Sequence, residues 1–383
     1  MRASRGVSAR AGAGTPHVVF GHVEDADERL APAWDDLAAA ASEPNAFSER
    51  WFVTAGLHHL PHPPSLRLLE AWDDARLIGL LPLAIDRRYG RLPVRHVVNW
   101  LHHHAFLGTP MVRAGCEQAF WAAVLNALDA QGWARGFLHV NGLVEDGPVH
   151  RGLIAAAGAA GRRCDTVHRA VRAQLDSGLS PVAYYEANVR KKKRKELKRL
   201  AARLAECGAV AAARLERADQ VPGWCDDFLA LEASGWKGRG GSALASRPET
   251  RAFFREMLAG AWAAGRLEVL RMTLDDRPIA MLVNFLAPPG AFSFKIAFDE
   301  DFARFSPGVL IQIENLRLLH DADIAWMDSC AAENHPMIDS LWGGRRAIVR
   351  VTVPLAGMRR RLTFTLARAA ERARAFIRSR GKR

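Results

Sequence analysis

The residues best suited to chemistry lie where a strand ends and a helix begins. Between residues 292 and 298 every second residue is phenylalanine or isoleucine, which predicts a strand. Asp299 and Glu300 end this alternation, and Ser306-Pro307-Gly308 then opens a helical repeat of apolar residues. A helix that starts directly after a strand and a short loop presents free backbone N–H groups. The sequence therefore predicts a phosphate-binding loop here.

Two further segments contain candidate binding residues. Lys295 lies in the same strand on the face that the alternation makes polar, where it can meet a phosphate or a carboxylate, or simply face solvent. Trp236 and Lys237 lie in segment 235–241, which is too rich in glycine for a regular helix or strand. This composition predicts a loop.

The histidines and cysteines give no pattern for a metal site. His58, His59 and His62, and the run His102–His104, have loosely metal-like spacing, but no cysteine or acidic residue accompanies them. The five cysteines are scattered without a CxxC motif. We therefore expect reduced thiols, no disulfide framework and no metal.

Two similar strand pairs indicate an internal duplication. Residues 65–85 read as two strands around Asp73-Asp74, and residues 267–287 read as two strands around Asp275-Asp276. The pairs also resemble each other in the order of their apolar residues. We interpret them as two copies of one α/β unit, with a chance pair of hairpins as the alternative.

The positive charge of the chain is concentrated in two segments. The net charge is +12, and residues 190–199 contain eight basic residues and one acid. Residues 359–383 contain ten basic residues and one acid, with Leu362 and Leu366 on one face of a predicted helix. Such runs are usually solvated helix faces, and the run 190–199 also suits anionic lipid, RNA or the CoA phosphates. Because the remaining chain is slightly acidic, nucleic acid is not an expected partner. The tail helix also fits an anionic membrane surface, or docking onto the protein itself.

Neither end of the chain predicts insertion into a membrane. No apolar run reaches the ~18 residues that a membrane span needs. Residues 1–16 are basic but lack an apolar core, so we expect a flexible tail rather than a secretory signal.

Three segments together resemble GNAT acetyltransferases of the BioF2-like, or CelD/BcsL, type. These segments are GWKGRGGSAL, FKIAFDEDFARFSPGVL, and WMDSC followed by LWGGRR, and the resemblance spans residues 175–346. The first half resembles the degenerate GNAT repeat that these proteins share with the FemABX peptidyltransferases. The resemblance implies an α/β (α+β) fold of two tandem GNAT-like domains, each a mixed central sheet flanked by helices. The implied organisation is a flexible tail (1–16), a degenerate domain (17–175), an acyltransferase domain (176–353) that includes a linker helix (187–207), and a basic amphipathic tail (354–383).

The resemblance also implies a donor substrate, acetyl-CoA or another acyl-CoA, and no metal. In GNAT enzymes the loop that opens the helix after the fourth strand binds the CoA pyrophosphate through backbone amides. The corresponding residues are Arg304, Phe305, Ser306, Pro307, Gly308 and Val309. Arg304 and Gly308 keep the family's pattern, whereas its second glycine is absent. By the same resemblance, Trp236, Lys237 and Lys295 are candidates for binding the acceptor substrate.

Acyl transfer needs a base for the attacking group and a proton donor for the leaving thiolate. GNAT enzymes often use a tyrosine as the donor, but none of this chain's three tyrosines lies near the predicted fifth strand. The candidates for the base are the carboxylates at the ends of two neighbouring strands, namely Asp299, Glu300 and Asp328. Cys330 is a candidate acid or covalent acyl acceptor if its thiolate is favoured, and a packed thiol otherwise.

The resemblance thus implies an acyl-CoA-dependent N- or O-acyltransferase. Its acceptor is a small molecule or a saccharide, such as a precursor of a cell-envelope polysaccharide. The kinship with FemABX leaves aminoacyl transfer from a charged tRNA as an alternative. The missing tyrosine leaves a second alternative, a membrane-associated scaffold without activity. The expected location is the cytoplasm, or the cytoplasmic face of the inner membrane.

Overall fold

The computed structural model describes residues 16–24 and 26–380, so nearly all of the predicted tail 1–16 lies outside the described residues. The strands are β1 (His17–Gly21), β2 (Arg67–Asp73), β3 (Arg76–Asp86), β4 (His96–Asn99), β5 (Met111–Val112), β6 (Phe137–Val144), β7 (Asp165–Asp176), β8 (Val210–Arg214), β9 (Leu267–Leu274), β10 (Arg277–Ala287), β11 (Gly290–Phe298), β12 (Trp326–Asp328) and β13 (Gly344–Pro354). The helices are α1 (Ala26–Ala39), α2 (Arg50–His59), α3 (Glu117–Ala130), α4 (Pro148–Ala159), α5 (Pro181–Asn188), α6 (Lys191–Ala205), α7 (Val221–Ser234), α8 (Trp236–Arg239), α9 (Pro248–Ala263), α10 (Pro307–Glu314) and α11 (Met358–Arg380).

The described strands form one mixed sheet in the order β1-β2-β3-β4-β6-β13-β7-β12-β11-β10-β9-β8, with β5 on the edge of β3. The strands follow the same order of directions when they are counted inward from either edge of the sheet. Four antiparallel strands are followed by a parallel pair, β4 with β6 on one side and β11 with β12 on the other. This repeat confirms the predicted duplication and the predicted fold of two tandem α/β units.

Two strands are exchanged between the units in the middle of the sheet. β13, from the end of the second unit, pairs with β6 of the first unit, while β7, from the end of the first, pairs with β12 of the second. β7 and β13 also pair with each other. Because this exchange makes the sheet continuous, the boundary between residues 175 and 176 stays a prediction.

The two units also share a hydrophobic core. Helix α2 of the first unit packs against α9 of the second. Just before α2, the ring of Phe47 lies 5.3 Å from that of Phe292 in β11, and Phe52 lies 5.7 Å from Phe253 in α9. Edge-to-face packing of buried rings fixes their relative orientation. The first unit is therefore held rigidly against the β11 region of the second.

The helix predicted at 187–207 corresponds to α6, while residues 187 and 188 belong to α5, a separate helix that begins at Pro181. Ser180 caps α5 by accepting a hydrogen bond from the Ala183 N–H. The chain leaves the helical conformation at Val189 and Arg190, where the backbone is extended. Arg194 of α6 donates to the Val189 carbonyl at 2.7 Å, which stabilises this break.

The basic tail is helical, but the face that packs against the protein is not the predicted apolar stripe with Leu362 and Leu366. Phe364 and Ala367 of α11 are buried, and the Phe364 ring lies 5.7 Å from Phe137 of β6. Leu362 and Leu366 are 58% and 61% exposed. The predicted stripe therefore faces outward, because Phe364 supplies a larger anchor on the neighbouring face. Within the described residues, none of the helices combines the length and hydrophobicity that crossing a bilayer requires.

Candidate active site

The parallel strands β11 and β12 are paired over only three residues each. The pairing runs from Gly290 opposite Trp326 to Phe292 opposite Asp328, where β12 ends. β11 continues for six more residues, 293–298, without β12 beside it. This part of the β11 edge is where a substrate can reach the backbone of the sheet.

A β-bulge in β11 decides which side chains face this edge. Val283 of β10 pairs with Lys295 and the adjacent Asn284 pairs with Ser293, so Phe294 is an extra residue. An extra residue reverses the alternation of side chains beyond it. Phe294 therefore packs in the core shared by the two units, whereas Ile296 packs on the opposite face against α10. The uninterrupted alternation predicted for residues 292–298 is wrong beyond the bulge.

Lys295 is consequently placed beside aromatic rings rather than on an open polar face. Its ammonium nitrogen lies 5.4 Å from the ring centre of Phe294 and 5.8 Å from that of Phe106, a residue of the first unit. Burial lowers the pKa of Lys295 to about 8, the Glu232 carboxylate opposes this shift, and Lys237 adds to it. A lysine with this pKa can exchange protons near neutral pH.

The loop that follows β4 brings neutral histidines to the same region. Burial, with the charge of Lys295 as the next cause, lowers the pKa of His104 to about 3. Burial lowers the pKa of His102 to about 4. His104 stacks on Phe253 with the ring centres 5.5 Å apart, and His102 stacks on Phe52 at 5.1 Å. These imidazoles therefore place polar but uncharged atoms where the two units meet.

The predicted phosphate-binding loop precedes a helix, as expected, but its geometry differs from the expected cap. Ser306 has a left-handed backbone (φ 55°), and its side chain does not cap α10. Its carbonyl instead accepts the N–H groups of Val309 and Leu310 at 2.9 and 3.1 Å. Among the described residues nothing bonds the Gly308 N–H, and a Cβ on this glycine would lie 3.2 Å from the Phe298 ring.

The two carboxylates before this loop are held by structural partners. Asp299 is buried, forms an ion pair with Arg277 and accepts the N–H of Asp301 at 3.0 Å. Glu300 accepts the N–H of Trp236 at 2.6 Å and pairs with Arg239 at 2.5 Å. The Arg239 hydrogen bond, followed by the Trp236 N–H, lowers the pKa of Glu300, which makes this carboxylate a weaker base.

Asp328 forms a buried cluster with arginines from the two exchanged strands. Arg172 of β7 lies 2.6 and 2.7 Å from its two carboxylate oxygens, and Arg346 of β13 lies 3.2 Å from it. Arg172 also donates to the Phe106 carbonyl at 2.8 Å. Through this hydrogen bond the cluster fixes the loop of the first unit that contains Phe106. This loop lies over the edge of β11.

A family comparison identifies the second unit. Residues 191–335 match the model Acetyltransf_6, described as an acetyltransferase (GNAT) domain. Residues 191–335, within the second unit, form a GNAT domain. The match contains Lys295, the loop 304–309, Asp328 and Cys330. No curated protein matches the sequence.

Solved structures extend the similarity to both units. FemX is 9% identical, with a TM-score of 0.58, and the match covers 88% of this chain and 98% of the FemX chain. A conserved protein of unknown function from Bacteroides thetaiotaomicron VPI-5482 is 12% identical with a TM-score of 0.54, over 88% of this chain and 100% of that one. At these identities the similarity shows the fold alone, and it extends over both units.

Other predicted residues of the GNAT domain have mainly structural contacts. Segment 235–241, predicted as a loop, contains the short helix α8, which Glu300 caps through the Trp236 N–H. The Trp236 side chain is 61% exposed, and Lys237 pairs with the buried Glu232 at 2.9 Å. Burial, followed by the charge of Asp328, raises the pKa of the Cys330 thiol, which disfavours a thiolate. Their roles in binding or catalysis stay predictions.

The other histidine cluster pairs with an acid. His58 and His59 contact the two carboxylate oxygens of Glu256 in α9 at 2.7 and 2.6 Å. In the part of the chain that the structure describes, no group of three or more histidines, cysteines or acids is arranged to hold a metal ion.

Four residues of this region were not predicted as site residues: Glu232, His104 and Phe106, which lie near Lys295, and Arg172, which holds Phe106. His104 was considered only as part of a histidine run. The others lie far from Lys295 in the sequence and share no motif with it. The only sequence feature that could have indicated them is the histidine- and phenylalanine-rich composition of segment 102–106.

Proposed function

We propose that the GNAT domain transfers an acyl group from acyl-CoA to an amine or hydroxyl, with the reaction centre beside Lys295. The observation that supports this proposal most directly is the position of Lys295. It lies next to the unpaired edge of β11, and burial lowers its pKa to about 8. Its side chain can therefore exchange a proton beside the part of β11 that has no β12 next to it.

The proposed donor site is the loop 304–309. The Gly308 N–H lies in the first turn of α10, where the helix dipole favours an anion, and it has no partner among the described residues. Arg304 adds an exposed positive charge close to this turn. These features suit the pyrophosphate of acyl-CoA, with acetyl-CoA as the simplest donor.

The proposed reaction uses Lys295 to carry one proton. The neutral amine of Lys295 accepts a proton from the acceptor nitrogen or oxygen as that atom bonds to the thioester carbonyl carbon. The carbon–sulfur bond then breaks, and the lysine ammonium returns the proton to the departing thiolate. The products are an amide or ester and free CoA. This assignment gives the proton transfers to one residue and needs no tyrosine at β12.

The proposed acceptor is a small molecule or a saccharide precursor that enters from the side of the first unit. His104 and Phe106 of the first unit lie there, and the exposed Trp236 is available to stack on a sugar ring. This reaction belongs in the cytoplasm, where acyl-CoA is available.

A thermal shift experiment separates the candidate functions. We expect CoA to raise the unfolding temperature and tRNA to leave it unchanged. Protection by tRNA alone would favour aminoacyl transfer from a charged tRNA. A protein that neither binds nor hydrolyses any acyl-CoA would instead fit a non-catalytic scaffold.

We also propose that α11 contacts an anionic membrane surface. Met358, Leu362 and Leu366 are 87%, 58% and 61% exposed, and arginines flank them along the helix. Apolar side chains beside basic ones suit an interfacial helix on anionic lipid. The docked residues Phe364 and Ala367 would hold this surface in place.

A further inference from the structure

A groove of about 600 Å³ runs between α6 and α10, on the face of the sheet opposite the core shared by the two units. Its floor is apolar and is formed by side chains of α6, the edge strand β8, its neighbour β9, and α10. These side chains are Leu197, Ala201, Leu204, Val210, Met272 and Leu310. Ala201 and Val210 are exposed, Val210 by 38%, whereas Leu197, Leu204, Met272 and Leu310 are buried beneath them. A groove with an apolar lining and a polar rim is typical of a binding site.

The rim that α6 forms is strongly basic. Lys191, Lys195 and Lys198 line it, and in the described part of the chain none of the three pairs with an acid. Arg194 lines it too, although its guanidinium also donates to the backbone of α5. The acids along the groove are Glu186 and Glu314, and Arg317 already pairs with Glu314 at 3.2 Å. The groove therefore keeps a net positive charge.

We propose that this groove binds an amphiphile with an alkyl chain and an anionic head group. The chain would lie on the apolar floor, and the head group would meet the unpaired lysines of α6. Nucleic acid suits the groove less well, because Tyr185 is the aromatic residue that lines it and the floor has few hydrogen-bonding groups. The groove follows the body of α10 from Leu310 to Glu314, whereas the proposed donor site is at Gly308, about half a turn before Leu310.

Calorimetric titration of the full chain with dodecyl phosphate, below its critical micelle concentration, tests this proposal. We expect saturable binding of one molecule per chain. Dodecyl maltoside, which has the same chain and a neutral head group, should bind about tenfold more weakly or worse. Inorganic phosphate should not compete, because it lacks the chain. No saturable binding of dodecyl phosphate would overturn the proposal, as would equal affinity for the two amphiphiles.

Charge-matched variants of α6 locate the site. Lys195→Glu with Lys198→Glu should weaken dodecyl phosphate binding by about tenfold or more. The control is Lys192→Glu with Arg203→Glu, which changes the net charge equally at exposed positions outside the groove, and it should stay within about twofold of the unmodified protein. Equal losses in the two double variants would show general charge attraction and would contradict the groove.

An apolar variant tests the floor separately. Ala201→Trp fills the groove from an exposed helix position, so it should fold normally and weaken binding of the twelve-carbon chain. A short RNA hairpin provides the competing outcome. The proposal is wrong if dodecyl phosphate fails to bind and the hairpin binds instead. In that case Lys195→Glu with Lys198→Glu should weaken hairpin binding and Ala201→Trp should leave it unchanged. The surface would then be a nucleic-acid site.

Discussion

The ammonium nitrogen of Lys295 in the second unit lies 5.8 Å from the centre of the Phe106 ring in the first unit. One unit therefore supplies the titratable group and the other covers it. Arg172 fixes this relationship by donating to the Phe106 carbonyl while it pairs with Asp328. The first unit, although it lies outside the matched GNAT domain, contributes directly to the environment of the proposed reaction centre.

Lys295 should control the pH dependence of acyl transfer. Because a base must be neutral, we expect kcat/KM to rise with pH through about 8, the pKa of Lys295. Lys295→Met should lower kcat/KM by about 10²-fold or more and remove this rise. Lys295→Arg keeps the charge but cannot accept a proton, so it should not restore activity. Glu300→Gln serves as the control and should keep the rise. Loss of the rise in that variant would instead identify Glu300 as the base.

Gly308→Glu should abolish CoA binding without unfolding the protein. The new carboxylate would occupy the turn proposed for the pyrophosphate and repel it. Gly308→Ala is the matched control. Its added Cβ lies 3.2 Å from the Phe298 ring, so a small stability cost and nearly unchanged affinity are expected. Unchanged CoA affinity in Gly308→Glu, measured by calorimetry, would disprove the loop assignment.

Asp328→Asn should be strongly destabilising. The substitution leaves Arg172 and Arg346 close together, buried and without their carboxylate, which costs about 3–5 kcal/mol in comparable buried pairs. Asp339→Asn removes one partner of the more exposed pair with Arg345, separated by 3.8 Å, and should cost about 1 kcal/mol or less. Urea unfolding at pH 7 measures both values. Similar costs for the two variants would argue against an electrostatic role for the Asp328 cluster.

His102 and His104 should make the protein less stable in acid. Their folded pKa values of about 4 and 3 lie below the ordinary value of 6.5, so the unfolded chain binds protons first as the pH falls. Between pH 8 and pH 5 each histidine should lower the free energy of unfolding by about 2 kcal/mol. His102→Phe keeps the stack on Phe52 and should reduce this fall by about that amount. The exposed His103→Asn should leave it unchanged, and a similar reduction there would contradict the assignment.

The exposed face of α11 should determine membrane association. Leu362→Glu with Leu366→Glu should reduce co-sedimentation with vesicles rich in phosphatidylglycerol, because it removes apolar contacts and adds repulsion. Thr363→Glu with Thr365→Glu adds the same charge beside these positions without removing apolar side chains, so it should reduce binding less. If none of the three proteins sediments with the vesicles, α11 has no role as a membrane anchor.

Local patterns in the sequence were sufficient for the elements and for the duplication. The hairpins around Asp73-Asp74 and Asp275-Asp276 were predicted because turn residues interrupt two apolar runs, and the start of α10 was predicted from Pro307. Helix propensity alone did not predict the break between α5 and α6, because a side-chain hydrogen bond from Arg194 to the Val189 carbonyl stabilises it. The predicted features depend on neighbours a few residues apart, which periodicity can reveal, whereas a single side-chain hydrogen bond leaves no periodic pattern.

The composition of the candidate site, in contrast, depended on tertiary structure. One extra residue, Phe294, turned Lys295 toward the first unit, and a bulge of this kind is defined by the partner strand rather than by composition. Phe106 and Arg172 lie 189 and 123 residues from Lys295 in the sequence. The exchange of β7 and β13 brings Arg172 and Arg346 to Asp328. The sequence determined the segments and predicted the donor loop; strand pairing between distant segments decided which side chains meet there.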